Sequence, residues 1–561
     1  MGEGGSVERP WLQHYPEGIR SQITVPEVPA YHLLFEQIEA HPDRTALIFY
    51  GKKTSFGQLG ELIDRFAAAL IRRVGVRKGD RVGIILPNCP QNVIATVACQ
   101  RAGAIPVQFN PMYVEREITY QAKDAGCRVM ITLDLFWNKV KPCGVEQFIV
   151  TGMPDFLPFP LSVLFPLKVK APKVGPGEAI RFTDLLKEEP KGFRPVDVRP
   201  VEDPAVFMYT GGTTGISKGV MLTHFNFTAN VMQIQEWLKR PPGKVDTVLV
   251  VLPMFHSYGF TAALGFALAS GSTCVLVPKF DAGEVLKLID KHKPTSFPGV
   301  PTIYTALLNH PDIHKYDLKS IEFCVSGAAP LPVELLKRWE EVTGSNILEG
   351  YGLTETSPVT HSNPLYGKRK PGSVGLPYAN TEVRIVDLET GEDLPLGQEG
   401  EVLLRGPQVM KGYWNKPEET AETIRDGWLF TGDIGKMDEE GYLYIVDRKK
   451  DMIIAGGFNI YPREIDEILY QHPAVLEACS IGVADEYRGE TVKAFVVLRP
   501  GATATEEEIL AFCQERLAAY KRPRYVEFIP ELPKSTVGKV LRRVLAAQER
   551  EKSQIAASTQ G

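Results

Sequence analysis

The sequence predicts an α/β protein. A large N-terminal domain holds two parallel-type sheets covered by helices plus a β subdomain, and a small α+β domain follows. Three observations carry this prediction. Strand-like apolar runs alternate with helical ones through the first part of the chain, which argues for parallel sheets covered by helices. After about residue 365 short strands and turns take over. Near Lys450 charge and glycine cluster, and a short mixed pattern begins.

The elements follow in order. "DRVGIILP" reads as a strand before "CPQNVIATVACQRAG", read as an amphipathic helix. "TVLVVLPMF" precedes "YGFTAALGFALASG", "STCVLVP" precedes "AGEVLKLIDKHK", and "SIEFCVSG" precedes "PVELLKRWEEVTG". "NTEVRIVD", "GEVLLRG" and "GYLYIVD" are short strands separated by the turns "LETGED" and "MDEEGY", a mostly antiparallel pattern. The last segment offers a helix at "PREIDEILYQHP", strands at "EACSIGV" and "TVKAFVVLRP", and a helix at "TEEEILAFCQERLAAY". The expected divisions are an N-terminal extension over 1–30, α/β sheets over 31–364, a β subdomain over 365–449 and the small domain over 450–561.

Composition narrows the function classes. The chain has 561 residues, 44% hydrophobic and 23% charged, with a net charge of −5. That is ordinary soluble-protein chemistry and gives no basic footprint for nucleic acid. Eight cysteines are scattered without CxxC spacing, as expected of buried thiols in a reducing compartment. "MGEGGSVERPWLQHYPEG" lacks the basic and apolar regions of a signal peptide, so a cytoplasmic location is expected. No run of apolar residues is long enough to span a bilayer. The nearest, "FLPFPLSVLFPLKVK" (156–170), carries Pro158, Pro160 and Pro166, which should break a helix. It reads as a loop, or as a patch touching lipid at the inner face of the membrane, with Lys168 and Lys170 near head groups.

"YTGGTTGISKGV" (209–220) follows the strand-like "PAVFM". A Walker A loop would place a lysine after glycine and a hydroxyl after the lysine. Here Lys218 follows Ser217 and precedes Gly219, and "VMLTH" reads as another strand. The ordinary nucleotide-hydrolase reading therefore fails. The anion chemistry remains: glycines turn backbone N–H groups inward, Thr210, Thr213 and Thr214 add hydroxyls, and Lys218 adds charge.

Other segments point the same way. "EGYGLTE" (349–355) offers an aromatic face at Tyr351 and a hard oxygen ligand at Glu355. "GWLFTGD" puts Asp433 after a tight turn, where it can accept from two sugar hydroxyls. "DRKKD" (447–451) is a charge run, and "PKSTVGK" sets Lys539 in a glycine-containing turn. Each has a plain alternative as core, turn or solvated surface.

Together with "SGAAPL" (326–331), these motifs resemble in content and order those of the adenylate-forming enzymes. That family includes acyl-CoA synthetases, luciferases and peptide-synthetase adenylation domains. The resemblance covers roughly residues 30 to 545 and is strongest to bacterial long-chain fatty acid–CoA ligases. It implies ATP and Mg²⁺, with coenzyme A as co-substrate. It implies that Thr210, Gly211, Gly212, Thr213, Thr214, Gly215 and Lys218 cradle the ATP phosphates. Gly327, Ala328 and Ala329 would line the adenine pocket with Glu349, Gly350, Tyr351 and Gly352, Tyr351 stacking on the base. Thr354 and Glu355 would sit by the α-phosphate and magnesium, and Asp433, Ile445 and Arg448 by the ribose. Lys539 would reach the forming acyl-phosphate link from a small mobile domain hinged at Lys450, a position where many relatives carry aspartate. Thr210, His256, Glu355 and Lys539 are the implied catalytic group, and Gly456, Gly457 and Phe458 the implied coenzyme A channel.

The acid is less legible. His256, Phe260, Gly299 and Val300 are the expected acyl-pocket residues. The small residues of "TAALGFALASG" either leave room for a tail or allow tight packing. "DGWLFTGDIGKMDEEGYLYIVDRKKDMI" and the stretch at 156–167 resemble features of fatty acyl enzymes. A medium-chain or aryl acid, or a carrier protein loaded in trans, is the alternative. The resemblance leaves room for a homodimer.

Overall fold

The computed structural model describes residues 9–211, 217–455, 458–485, 487–536 and 538–559. Two large sheets form the N-terminal body. In the nine-stranded sheet, parallel neighbours run from Asn346–Gly352 through Phe323–Ser326, Ser296–Gly299, Thr247–Val250 and Thr273–Leu276 to Thr45–Phe49. Antiparallel strands finish both edges. In the eight-stranded sheet, a parallel centre ends in the antiparallel pair Pro204–Gly211 and Ser217–Thr223, with the short Gly412–Tyr413 beyond.

The helices Phe56–Arg72 and Pro90–Arg101 are held between the sheets. One apolar core joins Leu47, Val250 and Leu276 of the first sheet to Val82, Ile84 and Ile131 of the second through Phe66 and Ile94. This corrects the amphipathic reading of "CPQNVIATVACQRAG". Nearly every residue of Pro90–Arg101 is buried. Its polar side chains face protein: Gln91 donates to the Gly152 carbonyl (3.1 Å), Asn92 to that of Leu86 (3.1 Å) and Gln100 to that of Ala205 (3.1 Å). Polar residues at helical spacing look like a wet face, yet here they satisfy backbone groups of neighbouring segments.

The expected prolyl break at 156–170 is also corrected. Leu161–Lys168 is a helix with Pro166 inside it. Pro158 and Pro160 lie ahead of the first turn, where a missing N–H leaves no intrahelical bond unmade. Only Pro166 removes one, and a single turn follows it.

A five-stranded antiparallel sheet contains Glu382–Val386, Gly400–Arg405, Trp428–Met437 and Leu443–Arg448. The small C-terminal sheet begins at Ile453–Ala455. Its core of Ile453, Ile465, Val475, Val492 and Ile509 is drawn from its own segment. Lys450 lies on the short crossing between these two sheets, with an exposed side chain.

Candidate active site

Ligands of open α/β sheets gather beyond the carboxyl ends of the strands. Here the ends of Phe323–Ser326 and Asn346–Gly352 deliver Gly327–Ala329 and Tyr351–Glu355 to one place. Ala328 holds φ 64, a left-handed conformation disfavoured for a residue with a side chain. Thr210 and Gly211 end the strand that pairs with Lys218 and Ser217, and the Ser217 hydroxyl donates to the Thr210 carbonyl at 2.7 Å. The phosphate-loop segment therefore joins two antiparallel strands, with no helix opening behind it. Gly212, Thr213, Thr214 and Gly215 lie outside the described residues, as do Gly456 and Gly457.

The acidic group of the expected ribose site is already organised. Asp433 and Arg448 are paired residues of adjacent antiparallel strands, and their side chains form an ion pair at 3.1 Å. The Tyr351 hydroxyl donates to the other Asp433 oxygen at 2.6 Å. Burial, then the Asp433 charge, pushes the Tyr351 phenol well up, so it stays a donor. Asp433 raises the Arg448 guanidinium further. A carboxylate has about four lone-pair sites, so two contacts leave acceptors for two hydroxyls. Ile445 lies on the same strand as Arg448. The Glu349 carboxylate turns elsewhere: it accepts from the Leu331 N–H (3.1 Å) and meets Arg463.

A strap missed in the sequence lies on the side of the expected phosphate loop. Tyr413 of the Gly412–Tyr413 strand donates to Glu355 Oε1 at 2.8 Å. The Lys218 ammonium lies 5.1 Å from the Tyr413 ring centre and pairs with Glu419. "GYWNKPEET" held two aromatics and two acids, the one local signal that could have exposed it. The Ser257 hydroxyl donates to Thr354 at 3.3 Å and ties the His256 segment to the same turn.

Lys539 enters from the small domain. Its turn closes through Ser535 N–H to the Lys539 carbonyl (2.7 Å) and Lys539 N–H to the Ser535 hydroxyl (3.1 Å). Gly538 holds φ 77, and a Cβ there would lie 2.3 Å from Thr302 Oγ1 and 3.2 Å from Val300. Only glycine permits that approach and that backbone. Asn110 donates to Thr536 at 3.1 Å, a second tie across the domains. Burial above all, then Arg448, pushes Lys539 down to about 8, while Asp433 and Asp451 oppose the shift. Burial, then the Lys539 charge, pushes His256 down to about 4, so the ring is neutral at pH 7. Its Nδ1 accepts from the Tyr258 N–H at 3.3 Å.

The acyl-pocket candidates divide. His256 and Val300 face the Lys539 turn. Phe260 packs edge-on to Phe227 at 5.5 Å, within core. Gly299 lies against the Tyr304 ring. "TAALGFALASG" begins in a π-helix over Tyr258–Gly265, a form enriched at functional sites, and continues as an α-helix over Phe266–Ala269. At two glycines beside and within it, the small-residue alternative resolves toward packing. A Cβ on Gly259 would meet the Pro253 carbonyl at 2.2 Å, and one on Gly265 the Phe227 ring at 2.7 Å. Phe458 is 54% exposed and stacks on Tyr520 at 4.7 Å.

Among the described residues no group of three or more His, Cys, Asp or Glu side chains could hold a metal. A single carboxylate beside a phosphate site fits Mg²⁺ carried by ATP, which binds through one or two carboxylates plus phosphates and keeps several waters. Glu355 would hold it.

Residues 34–414 match the family of AMP-binding enzymes, and residues 464–539 match the AMP-binding enzyme C-terminal domain. This chain belongs to the AMP-binding enzyme family. The long-chain-fatty-acid–CoA ligase of Bacillus subtilis (strain 168) is 50% identical over 98% of this chain and 99% of its own. The protein of that name from Escherichia coli O157:H7 is 39% identical over 97% and 99%. The crystal structure of the anthranilate CoA ligase AuaEII in complex with anthranoyl-AMP superposes with a TM-score of 0.84. It is 30% identical and covers 96% of this chain and 99% of that one. Family membership thus spans both domains, and the second match ends on Lys539.

Proposed function

We propose that this protein is a long-chain fatty acid–CoA ligase. It joins a fatty acid to ATP, giving acyl-AMP and pyrophosphate, then passes the acyl group to coenzyme A with release of AMP. The observation that carries this reading is the near-full-length 50% identity to a fatty acid–CoA ligase. The seating of Lys539 beside Asp433 and Arg448 agrees with it.

The geometry suits the first step. A carboxylic acid with a reference pKa of about 4 is ionised at pH 7 and needs no general base. What opposes reaction is repulsion between that anion and the ATP phosphates. Lys539 and Lys218 supply fixed positive charge, and the Thr210–Lys218 hairpin holds the phosphates. Asp433, with Tyr351 and Arg448 fixing its rotamer, orients the ribose. Bound Mg²⁺ would neutralise phosphate charge beside Glu355. Neutral His256 beside Lys539 adds no competing charge where the carboxylate enters. The Lys539 turn also covers the site and keeps water from the mixed anhydride.

In the second step a thiol attacks the acyl carbon, and the two steps want different groups around one carbonyl. Rotation of the small domain about Lys450 would withdraw Lys539 and bring Gly456, Gly457 and Phe458 to the coenzyme A channel. Substrate uptake from a bilayer fits the Leu161–Lys168 helix, where Phe159 is 84% and Leu167 75% exposed beside Lys168 and Lys170. No helix among the described residues is long and apolar enough to cross a membrane.

Pyrophosphate release across acids from acetate to stearate, with cinnamate and benzoate included, tests the substrate class. Each buried CH₂ contributes about 0.8 kcal/mol, so kcat/KM should climb steeply with tail length. A maximum at cinnamate would assign the chain to aryl acids instead.

A further inference from the structure

The mechanism above leaves a group of buried charges unused. They line an open cleft between the domains, bordered by Thr302, Arg338, Arg463, Glu467 and Lys539. The small-domain helix Pro462–Tyr470 carries four charged residues within two turns, Arg463, Glu464, Asp466 and Glu467. Arg463 reaches Glu349 of the large domain at 3.3 Å and donates also to the Ile445 carbonyl. Its backbone N–H donates to Asp447 at 2.8 Å. Glu349 is 3% exposed, and its second oxygen has no partner among the described residues. One turn beyond Arg463, Glu467 borders the cleft with Pro332 and Glu334, next to the Val333 N–H, and burial pushes its carboxyl up to about 7. Val333 opens the Val333–Thr343 helix, whose N-cap position is Pro332 and which has no side-chain cap of its own. Asp466 faces inward instead, to Arg542 and the Ser480 N–H.

These contacts define a register. Arg463 is the one cation hydrogen-bonded to Glu349 among the described residues. Glu467 supplies from the other domain an acceptor oxygen at the start of the Val333–Thr343 helix, a position that favours its anionic form. A buried ion pair adds little net stability, but a lone buried carboxylate is costly, so such pairs discriminate between arrangements more than they strengthen one. Glu349 also shares a strand with Tyr351, two residues on and on the same face. The register of the small domain is therefore tied to the strand that carries the tyrosine on Asp433.

We propose that Arg463 on Glu349 and Glu467 on the Val333–Thr343 helix form a two-point latch. The latch holds the small domain in its acid-activating position, and its strength sets the balance between the two half-reactions. Both are positioning residues, acting through Lys539. The proposal rests on the moving small domain described above.

The test separates the half-reactions in the full-length enzyme. Pyrophosphate release from ATP and hexadecanoate reports the first. Thioester formation from supplied hexadecanoyl-AMP and coenzyme A reports the second. Arg463→Met and Glu467→Ala should each slow the first by about 10- to 100-fold, with the second unchanged or faster. Glu467→Gln keeps an acceptor oxygen and should stay close to the parent. A parallel fall in both half-reactions, or no change in either, overturns the latch. Lys539→Ala in the same assays keeps the readings apart. If it splits the half-reactions while the latch variants do not, the latch alone fails. If it lowers both equally, the moving domain fails as well.

Discussion

In the proposed mechanism Lys539 works only as a cation, and its surroundings oppose that state. Burial and the nearby Arg448 guanidinium bring it down to about 8. The charged form is complete well below pH 8 and disappears above it. Adenylation kcat/KM for ATP, which reports the free enzyme, should therefore fall as pH rises through about 8. Lys539→Arg should move that limb beyond the measurable range, because guanidinium does not deprotonate. An unchanged limb in the arginine variant would assign the titration to another group. The same shift opposes closure before ATP binds. The penalty for burying charged Lys539 is full below about 8 and fades as pH rises toward the ordinary lysine value. In the proposed mechanism, ATP phosphates would reverse that balance by supplying the missing anion.

At the scale of elements, the phosphate hairpin depends on a strap far along the chain. Gly412–Tyr413 pairs with Ser217–Thr223, and the Trp414 N–H donates to the Gly219 carbonyl at 2.8 Å. This backbone pairing lets Tyr413 touch Glu355 and stack under Lys218 at once. Tyr413→Phe keeps the ring and deletes one hydrogen bond to a carboxylate. KM for ATP should rise by about 10-fold with kcat less affected, the size expected of a hydrogen bond to a charged group. Steady-state kinetics checks this, and an unaltered KM would show that Glu355 holds its place without the tyrosine. The helix Leu161–Lys168 makes the converse point. Its neighbours leave the apolar side chains of Val163, Leu164 and Leu167 in water, an arrangement that monomeric surfaces avoid.

For the whole molecule, that exposed helix fixes which side would face lipid. Lys168 ends it and Lys170 and Lys173 follow, so anionic head groups would be the expected complement. Flotation of the intact protein with phosphatidylglycerol vesicles should show binding that weakens with salt. Phe159→Glu or Leu167→Glu should reduce it by about 10-fold or more while leaving turnover of a water-soluble short acid intact. Absence of binding to anionic vesicles would remove the membrane reading.

The chemistry-bearing loops and the layered α/β plan could be read directly from the chain. Phosphate cradles need glycine, hard-cation sites need carboxylate, and parallel sheets need alternating apolar runs, so each leaves a local mark. Lys539 was marked by the family resemblance alone, and only the structure shows that the Gly538 before it occupies a left-handed turn. Folding alone decided which charges meet. Glu349 and Arg463 lie 114 positions apart, and Tyr351 and Asp433 lie 82 apart. Their partnership follows from strand order and domain docking, which no local periodicity encodes. The same holds for Pro90–Arg101, whose polar residues serve neighbouring backbone because sheets cover both its sides. Local pattern reports what a segment can do; burial, set by everything packed around it, selects what it does.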